Sequence, residues 1–460
     1  MGYSGSEVRA VTLACCISGF IAPLLSTMMN LSLIHIGNDF GVGSHDLAYI
    51  NTSFLLASVI FMVPFAKAAD ILGKKRVFYI GLLIIVAGCI MASLAPNFWF
   101  VVIGRGITGC GAAGLVTVSV SMITDIVPKE RRGSALGYQT MCVYTGLAIG
   151  PVIGGVMNDI IGWRLLFLIP LPFAIASIII MQSGFKGDIA TDKGGIFDTW
   201  GSTVYGLAMT LSMFGVMNLP ATWSYFAIIV GLVLLAIFVK MQLNNKHCLL
   251  EMRLFKNWMF SGSCIATFMS YASSYSISFF MALYLQSVGA MTATEAGLFM
   301  ICEPVAQAIF TPICGRLTDR ISNKTILPTA GMAITAFSVL TIAFYTVDTP
   351  LYLIAVTLIS LGIGFAMFSA PNTFLIMSSV PRDQTSAASG VLAVMRQSGM
   401  MVSMGIAMLY ISIIMGSADN LVPETYDLFM EVIRYSFLTC FFMCVIGTIT
   451  SAVRGKPKKC

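Results

Sequence analysis

Ionisable side chains inside long apolar runs are the residues of this sequence that could do chemistry. Glu303 lies within one such run, beside Pro304, and Arg105 and Arg396 lie within two others. A charge at the centre of a membrane helix costs about 2.5–3.5 kcal/mol on insertion scales, so such residues are functional candidates by default. A carboxyl group there can bind and release a proton, which predicts that Glu303 exchanges a proton for a cationic molecule. A carboxylate paired with Arg396, or hydrogen-bonded near the Pro304 kink, is the alternative.

Uncharged polar and aromatic residues within the same apolar runs are weaker candidates for a binding site. Tyr271 and Tyr275 are four residues apart and share a helix face, and aromatic faces can hold lipophilic cations. With Arg396, we expect a substrate cavity to be lined by Asn30, Gln139, Tyr271, Tyr275 and Gln307. Helix–helix hydrogen bonding or lipid contact stays open as the structural role of each.

The composition excludes a soluble protein and a disordered one. Of the 460 residues, 57% are apolar and 10% are charged, whereas an average soluble domain carries about 25% charged residues. Disorder requires low hydrophobicity together with high charge. The net charge of +6 is typical of a membrane protein with cytoplasmic Lys and Arg, and it does not indicate a nucleic-acid partner.

Apolar stretches of about 20 residues, the length of a membrane helix, recur from end to end. Because lipid cannot pair backbone polar groups, these stretches must be helical, and the fold class is an all-α polytopic membrane protein. Fourteen transmembrane helices are predicted, at about residues 10–34, 47–67, 77–95, 98–123, 134–158, 163–182, 199–219, 222–243, 258–288, 294–315, 325–346, 350–377, 386–414 and 431–453.

An internal repeat relates the two halves of the chain. Val-Pro-Lys-Glu at residues 127–130 reappears as Val-Pro-Arg-Asp at residues 380–383, and Gly146 matches Gly399 at the same offset of 253. Parallel repeats of this kind are a transporter architecture, in which the binding site lies between the halves near the middle of the membrane.

The repeat and the predicted helices together give the domain organisation. We expect an N-terminal six-helix bundle at residues 1–183, a cytoplasmic linker with two extra transmembrane helices at 184–257, and a C-terminal six-helix bundle with a cytoplasmic tail at 258–460. Most of the 26 Lys and Arg residues fall on one side of the predicted helices. Since cytoplasmic loops carry the excess of positive charge, both termini are expected in the cytoplasm, in a multi-pass protein of the plasma membrane.

Acidic and basic residues meet in the loop after the second predicted helix. Residues 66–76 read Ala-Lys-Ala-Ala-Asp-Ile-Leu-Gly-Lys-Lys-Arg, and residues 315–320 repeat the beginning of this pattern. It resembles the loop signature G-x-L-a-D-r-x-G-r-K of the major facilitator superfamily. Ion pairs at this place predict a gate that opens and closes, and a basic cytoplasmic loop with a local ion pair is the alternative. The gating candidates are Asp70, Lys74, Lys75, Asp319 and Arg320.

The fourth predicted helix carries Arg105 in Gly-Arg-Gly-Ile-Thr-Gly-Cys-Gly-Ala-Ala-Gly, residues 104–114. This segment resembles the R-x-x-x-G-x-G-a-a-x motif of the drug:proton antiporters of the same superfamily, in which the Arg is linked to proton transfer. The resemblance therefore implies a role in proton transfer for Arg105, and with Glu303, singled out above by its position, we expect it to handle protons. An Arg that caps the carbonyl groups of neighbouring helices is the structural alternative.

Glycines repeat at every fourth position of the fifth predicted helix. Gly146, Gly150 and Gly154 lie on one helix face, where small residues let another helix approach closely, and Pro151 bends the helix. With Gly155 they resemble the antiporter motif G-x-x-x-G-P-x-x-G-G, which separates drug:proton antiporters from most importers of the superfamily. Ordinary small-residue packing is the alternative.

Two further motifs resemble the fourteen-span branch of the drug:proton antiporters. Residues 162–167 match G-W-R-x-x-F, and residues 197–201 match F-D-x-x-G. The first predicted helix departs from the pattern L-D-x-T-x-x-N of that branch, because Leu25 occupies the acidic position while Thr27 and Asn30 match. The usual coupling carboxylate is therefore missing, which puts a strongly cationic substrate preference in doubt.

The resemblance implies a proton-coupled efflux transporter that exports small amphipathic or drug-like compounds by alternating access, and hence multidrug efflux and drug resistance. It implies no enzyme activity, no metal and no cofactor, since the proton gradient drives transport. The expected partners are a small-molecule substrate, protons and membrane lipid, with no nucleic acid, and the chain is expected to act as a monomer.

The same residues are compatible with other functions. A narrow-specificity exporter of one metabolite, lipid or siderophore is favoured modestly by Leu25 in the acidic position. A non-transporting membrane receptor or sensor stays open as well. An integral membrane enzyme would need clustered His, a nucleophile with its base or a nucleotide-binding loop, and the sequence, with 3 His, offers none of these.

Overall fold

The described part of the chain is helical, as the apolar runs predict. The computed structural model describes residues 4–128, 132–189, 195–245, 249–250, 252–321, 323–380, 385–416 and 423–454, apart from some side chains within these ranges. Throughout these ranges the helices are joined by short loops, and no strand occurs. The all-helical fold class is confirmed.

Nine helical segments form the first half. They are α1 Gly5–Thr27, a 3-10 turn Met28–Ser32, α2 Leu33–Phe40, α3 Ser44–Leu72, α4 Lys74–Ser93, α5 Phe98–Ile126, α6 Arg132–Ile161, α7 Trp163–Leu166 and α8 Pro170–Gly184. A helical hairpin follows, with α9 Thr199–Met217 and α10 Thr222–Asn244.

The second half begins after a 3-10 turn at Met252–Lys256. Its helices are α11 Trp258–Ser274, α12 Ser276–Leu283 with a π turn Tyr284–Val288, α13 Ala293–Met300, α14 Cys302–Arg320, α15 Ile326–Ile342, α16 Leu351–Ser378, α17 Thr385–Tyr410 with a π turn Ile411–Met415, and α18 Tyr426–Val453, which follows a 3-10 turn at Pro423–Thr425.

Eleven helical stretches in the described residues are long and apolar enough to cross a membrane. Helices also stand at the three remaining predicted places, as α9, as α11 with α12, and as α15. Among these, α15 is an apolar helix of 17 residues. The structure therefore supports a multi-pass membrane protein, and the count of fourteen stays a prediction.

Several predicted helices are longer than expected, and some are interrupted. The first runs from Gly5 to Phe40 and contains the 3-10 turn. The tenth is broken at Ile301, three residues before Pro304. A proline has no N–H to donate, and its ring clashes with the carbonyl group four residues earlier, so the break falls where the sequence places Pro304.

The helices of the two halves pair in the same pattern. In the first half α1 packs against α6 and α8, and α5 packs against α3 and α4. In the second half α11 packs against α17 and α18, and α16 packs against α14 and α15. Each pair of the first half thus has its counterpart at the position that the sequence repeat gives.

The two ends of the helix bundle are named by the direction of the first helix. We call the end at which α1 begins the near end, and the opposite end the far end. Gly184, the last residue of α8, lies against Ala10 of α1 at the near end. In the second half the Trp258 indole, at the start of α11, donates to the carbonyl group of Val453, at the end of α18, over 3.4 Å.

The α9–α10 hairpin lies against both halves. The Tyr205 hydroxyl of α9 donates to the carbonyl group of Val59 on α3 over 3.0 Å. On the other side, a Cβ atom placed on Gly405 of α17 would lie 2.3 Å from a methyl group of Val216. The hairpin therefore fills the groove between α3 of the first half and α17 of the second.

One carboxylate ties the two helices of the hairpin together. Asp198 caps α9 by accepting the Gly201 N–H over 2.8 Å. Its other oxygen accepts the side-chain amides of Gln242 and Asn245, each over 2.9 Å. Hydrogen bonds to a charged group are stronger than neutral ones, so Asp198 fixes the end of α10 beside the start of α9.

Asp198→Ala should lower the thermal stability of the purified protein. The change removes a helix cap, which costs about 1 kcal/mol, and leaves two amides without their acceptor. Asp198→Asn can still accept one bond, and we expect an intermediate loss. Thermal denaturation in detergent measures both variants. An Asp198→Ala midpoint equal to the native one would contradict this role.

Candidate functional site

A cavity lies between the two halves at the level where α13 meets α14. It is narrow, with a cavity volume of about 60 Å³. The first half contributes Thr27, Leu147 and Pro151 to its lining. The second half contributes Ile277, Ser278, Met281, Met300, Glu303, Pro304, Gln307 and Leu358. The walls are mostly apolar, with few polar groups, as in most small-molecule sites.

Glu303 is the carboxyl group of this cavity. It lies in the first turn of α14, and its Oε1 accepts a hydrogen bond of 3.1 Å from the amide of Gln307 one turn later. Within the described residues, no Lys, Arg or His nitrogen lies within 4.0 Å of it. The pairing with Arg396 that the sequence left open is therefore absent from the described contacts. The arrangement leaves Glu303 free to hold a proton or to face a bound molecule.

The other polar residues predicted for the cavity lie elsewhere between or within the halves. Asn30 is buried in the first half and accepts the amide of Asn51 over 2.7 Å. Gln139 is buried against Gly19 of α1. Of the predicted set, the structure brings Gln307 to Glu303 and does not bring these two there.

Tyr271 of α11 and Tyr275, the residue after α11, contact different partners. The Tyr275 hydroxyl lies 3.0 Å from the hydroxyl of Ser26, on α1 of the other half. Tyr271 packs edge-on against Phe365, with ring centroids 5.0 Å apart. The Arg396 guanidinium lies 5.8 Å from the Tyr271 ring centroid. The aromatic face thus supports Arg396 rather than Glu303.

Arg105 binds backbone carbonyl groups inside the first half. It has no exposed surface, and its Nη1 and Nε donate to the carbonyl groups of Leu25 and Ile50 over 2.9 and 3.3 Å. Its guanidinium lies 4.6 Å from the ring centroid of Phe54. Arg105 therefore joins α1 and α3 to α5, as the structural alternative predicts. Leu25, at the position of the missing carboxylate, supplies its carbonyl oxygen instead.

The glycine face of α6 packs against α1 and the 3-10 turn. A Cβ atom on Gly150 would lie 1.9 Å from the hydroxyl of Thr27, and one on Gly154 would lie 2.3 Å from the carbonyl oxygen of Met28. Gly146 meets α1 in the same way, 2.6 Å from the carbonyl oxygen of Phe20. Side chains at these positions would force the helices apart.

The other face of α6 meets α13 across the two halves. A Cβ atom on Gly155 would lie 2.4 Å from the carbonyl oxygen of Ala293, and one on Gly297 would lie 2.6 Å from that of Pro151. Nearer the far end, Asp159 accepts the hydroxyl of Thr294 over 2.6 Å. These contacts close the cavity from the far end.

The near end of the first half carries a buried ion pair. Lys74 is 1% exposed. Its ammonium group donates to Asp125 of α5 over 2.5 Å and to Ser121, and lies 4.0 Å from Asp70. Asp125 is not among the gating candidates that the loop motif predicts. Its position at the end of an apolar helix was the available signal.

The remaining gating candidates are described only in part. Lys75 donates from its side chain to the carbonyl group of Phe185 and from its backbone to Asp188 over 2.9 Å. Both partners follow α8, so Lys75 binds the segment after α8. The side chains of Asp319 and Arg320 lie outside the described residues.

The sequence profile of the Major Facilitator Superfamily matches residues 15–196 and 263–459. The chain belongs to the major facilitator superfamily. The unmatched stretch between the two ranges contains the α9–α10 hairpin. Both halves of the superfamily profile are thus accounted for, and the hairpin is additional to them.

Several curated proteins resemble the chain along most of its length. The riboflavin transporter RibZ of Clostridioides difficile is 26% identical over 386 residues, 84% of this chain and 84% of RibZ. The multidrug resistance protein Stp of Mycobacterium tuberculosis is 25% identical over 83% of this chain and 71% of Stp. The lincomycin resistance protein LmrB of Listeria monocytogenes is 25% identical over 99% of this chain and 98% of LmrB. These relatives are transporters or resistance proteins, not enzymes.

A solved structure shares the fold of this superfamily member. A bacterial homologue of the human lysosomal transporter Spinster, in an inward-facing and unoccupied conformation, superimposes with a TM-score of 0.67. The two chains are 16% identical, and the match covers 98% of each. The likeness concerns the fold.

Gly155→Ala should weaken the closure of the far end. The added methyl group meets the Ala293 carbonyl oxygen at a distance that Cβ atoms essentially never show, so α6 and α13 must separate. We expect cysteines placed near the far end to react faster with a membrane-impermeant thiol reagent. Gly390→Ala is the control, because no atom lies within 4 Å of its added Cβ. Equal labelling of the two variants would contradict the closure.

Proposed function

We propose that this chain is a proton-coupled antiporter that exports small amphipathic or drug-like compounds by alternating access. The observation that carries the proposal is Glu303, a carboxyl group in the cavity between the halves whose described partner is the amide of Gln307. Such a group can hold either a proton or the positive charge of a substrate, and the two compete for it.

Competition at one carboxyl group couples the two fluxes. A substrate that enters from the cytoplasm displaces the proton of Glu303. When the cavity faces outward, a proton from outside displaces the substrate and returns with the carrier. Arg105 does not line the cavity, so its contribution to this cycle is to hold α1, α3 and α5 in place through carbonyl groups.

Alternating exposure needs closures at both ends. The contact of α6 with α13 through Gly155 and Gly297 closes the far end. At the near end Lys74 binds Asp125 and lies beside Asp70, and the repeat gives Asp319 and Arg320 as the counterparts in the second half. We propose that these ion pairs rearrange as the two halves rock.

The proposed topology follows the same two halves. We place the six-helix bundles at residues 1–183 and 258–460, and the two extra transmembrane helices within residues 184–257. The fourteen-span branch, both termini in the cytoplasm, residence in the plasma membrane and action as a monomer belong to this proposal. The similarity to LmrB over 99% of the chain supports a layout that includes the hairpin.

A narrow exporter of one metabolite is the second candidate function. The similarity to a protein named riboflavin transporter and the absence of an acidic residue at Leu25 favour it. A panel of ligands scored by thermal shift separates the two candidates, since a narrow exporter would be stabilised by one compound and a multidrug exporter by many. A receptor without transport would show no substrate-dependent proton movement in liposomes.

Glu303→Gln should abolish efflux driven by a pH gradient while leaving expression intact. The amide has the shape of the protonated acid but cannot exchange a proton. Proteoliposomes loaded with ethidium, lincomycin or riboflavin, with an imposed pH gradient, provide the measurement. We expect a loss of at least tenfold in the initial rate for whichever compounds the native protein transports.

The matched control is Glu295→Gln in the neighbouring helix α13. Glu295 completes a capping box with Thr292, and a glutamine can take the same role, so its transport should stay near the native rate. Native efflux by Glu303→Gln would remove Glu303 from the mechanism. A native protein that moves none of the three compounds and no protons would contradict the transport proposal itself.

A further inference from the structure

Arg396 is a membrane-embedded cation without an anionic partner in the described structure. It lies in α17, is partly buried, and its Nη2 donates to the hydroxyl of Thr373 on α16 over 2.9 Å. Its Nε is buried and has no hydrogen-bond partner among the described residues. No described carboxylate lies within 4.0 Å of it. A charge inside a membrane protein is retained against its cost when it serves a ligand or a pathway.

Two other arginines differ from Arg396 in exposure, although each of them also has a guanidinium nitrogen without a hydrogen-bond partner among the described residues. Arg105 is 0% exposed and donates to two backbone carbonyl groups. Arg454 is 2% exposed and donates to the side chains of Ser263 and Asn372. Arg396 is more exposed than either, and within the described part of the chain it makes one hydrogen bond to protein. Its remaining donors are therefore available to a bound molecule.

Hydroxyl groups and aromatic rings surround this guanidinium. The Tyr271 ring centroid lies 5.8 Å from it. The hydroxyl of Tyr144, on α6 of the other half, reaches to within 3.5 Å of the Ser369 hydroxyl, and its position is close enough to Arg396 for electrostatic interaction. A guanidinium beside an aromatic wall suits an anionic group attached to an apolar body.

The same surface continues into the Glu303 cavity. Tyr144, Leu147 and Pro151 stand at spacings of three and four residues on α6, so they share one face, and the last two line the cavity. Seven residues separate Tyr144 from Pro151, which corresponds to about 10 Å of helix. A molecule that contacts both places must therefore span about 10 Å.

We propose that Arg396, with Tyr144, Tyr271 and Thr373, forms an anion-binding subsite, and that the preferred substrates are amphipathic molecules that carry a carboxylate for Arg396 as well as the positive charge that Glu303 binds. The inference rests on the proposed transport function, because it assigns the substrate class of the same cavity. The planar guanidinium binds a carboxylate through two parallel hydrogen bonds. The apolar walls around Glu303 hold the rest of the molecule.

A pair of dyes that differ in one group tests the subsite. Rhodamine 110 carries a free carboxylate, and rhodamine 123 is its methyl ester with the same ring system. Fluorescence anisotropy with the purified full chain in a neutral detergent measures the affinity for each, with no proton gradient. We expect the native protein to bind rhodamine 110 about tenfold more tightly than rhodamine 123.

Arg396→Gln should remove this preference. We expect its affinity for rhodamine 110 to fall about tenfold, while its affinity for rhodamine 123 changes less than threefold. Arg434→Gln is the matched control: Arg434 lies beside Phe344, which follows α15 in the second half. It is not among the residues that line the cavity, and both affinities should stay native. Thr373→Val, which removes the hydroxyl that holds Arg396, gives a second arm with a smaller loss for rhodamine 110.

Several outcomes would overturn the subsite. A native protein that binds both dyes with equal affinity would contradict it. So would a result in which Arg396→Gln and Thr373→Val weaken the binding of both dyes equally. Displacement of rhodamine 110 by phosphatidylglycerol but not by benzoate would assign the subsite to a lipid headgroup instead of a substrate. Because the assay measures binding alone, a loss of the dye preference contradicts the subsite, whereas a failure of Glu303→Gln to impair efflux contradicts the antiport mechanism.

Discussion

Every charged side chain inside the bilayer needs hydrogen-bond or electrostatic partners within the protein itself. Lipid offers no hydrogen bonds, so the position of each ionisable side chain fixes which helices must stand together. Arg105 meets this constraint with two carbonyl groups and an aromatic ring, and thereby holds three helices of the first half in register. Among the described residues, Glu303 and Arg396 are compensated by one hydrogen bond each. The contrast separates a group that builds the scaffold from groups that are available to a ligand.

Close contact between backbones is the second organising feature. On α6, one set of glycines lets α1 approach within the first half, and Gly155 lets α13 approach from the second half. Contacts made by backbone atoms and small residues can separate and close again without repacking large side chains. The helix that shapes one wall of the cavity is therefore also the helix along which the two halves meet.

The sequence predicted those features that repeat along the chain. Apolar length gave the helices, the offset between the halves gave the matching helix pairs, and the spacing of the α6 glycines gave a packing face. It could not give partners that lie far apart in sequence, such as Asp125 for Lys74 or Leu147 beside Glu303. Neither pairing leaves a periodic pattern. For Arg105 the motif suggested proton transfer, and only the geometry distinguished carbonyl capping from a place in the cavity.

Because of the α9–α10 hairpin, the two sides of the molecule expose different surfaces to the surrounding lipid. Two seams separate the halves, one between α3 and α17 and one between α6 and α14. The helices meet directly at both seams, and the hairpin in addition covers the first through Tyr205 and Val216. A superfamily member built from two bundles alone would present similar margins on both flanks. Here the hairpin separates one seam from the lipid, so the two sides of the molecule differ in the plane of the bilayer.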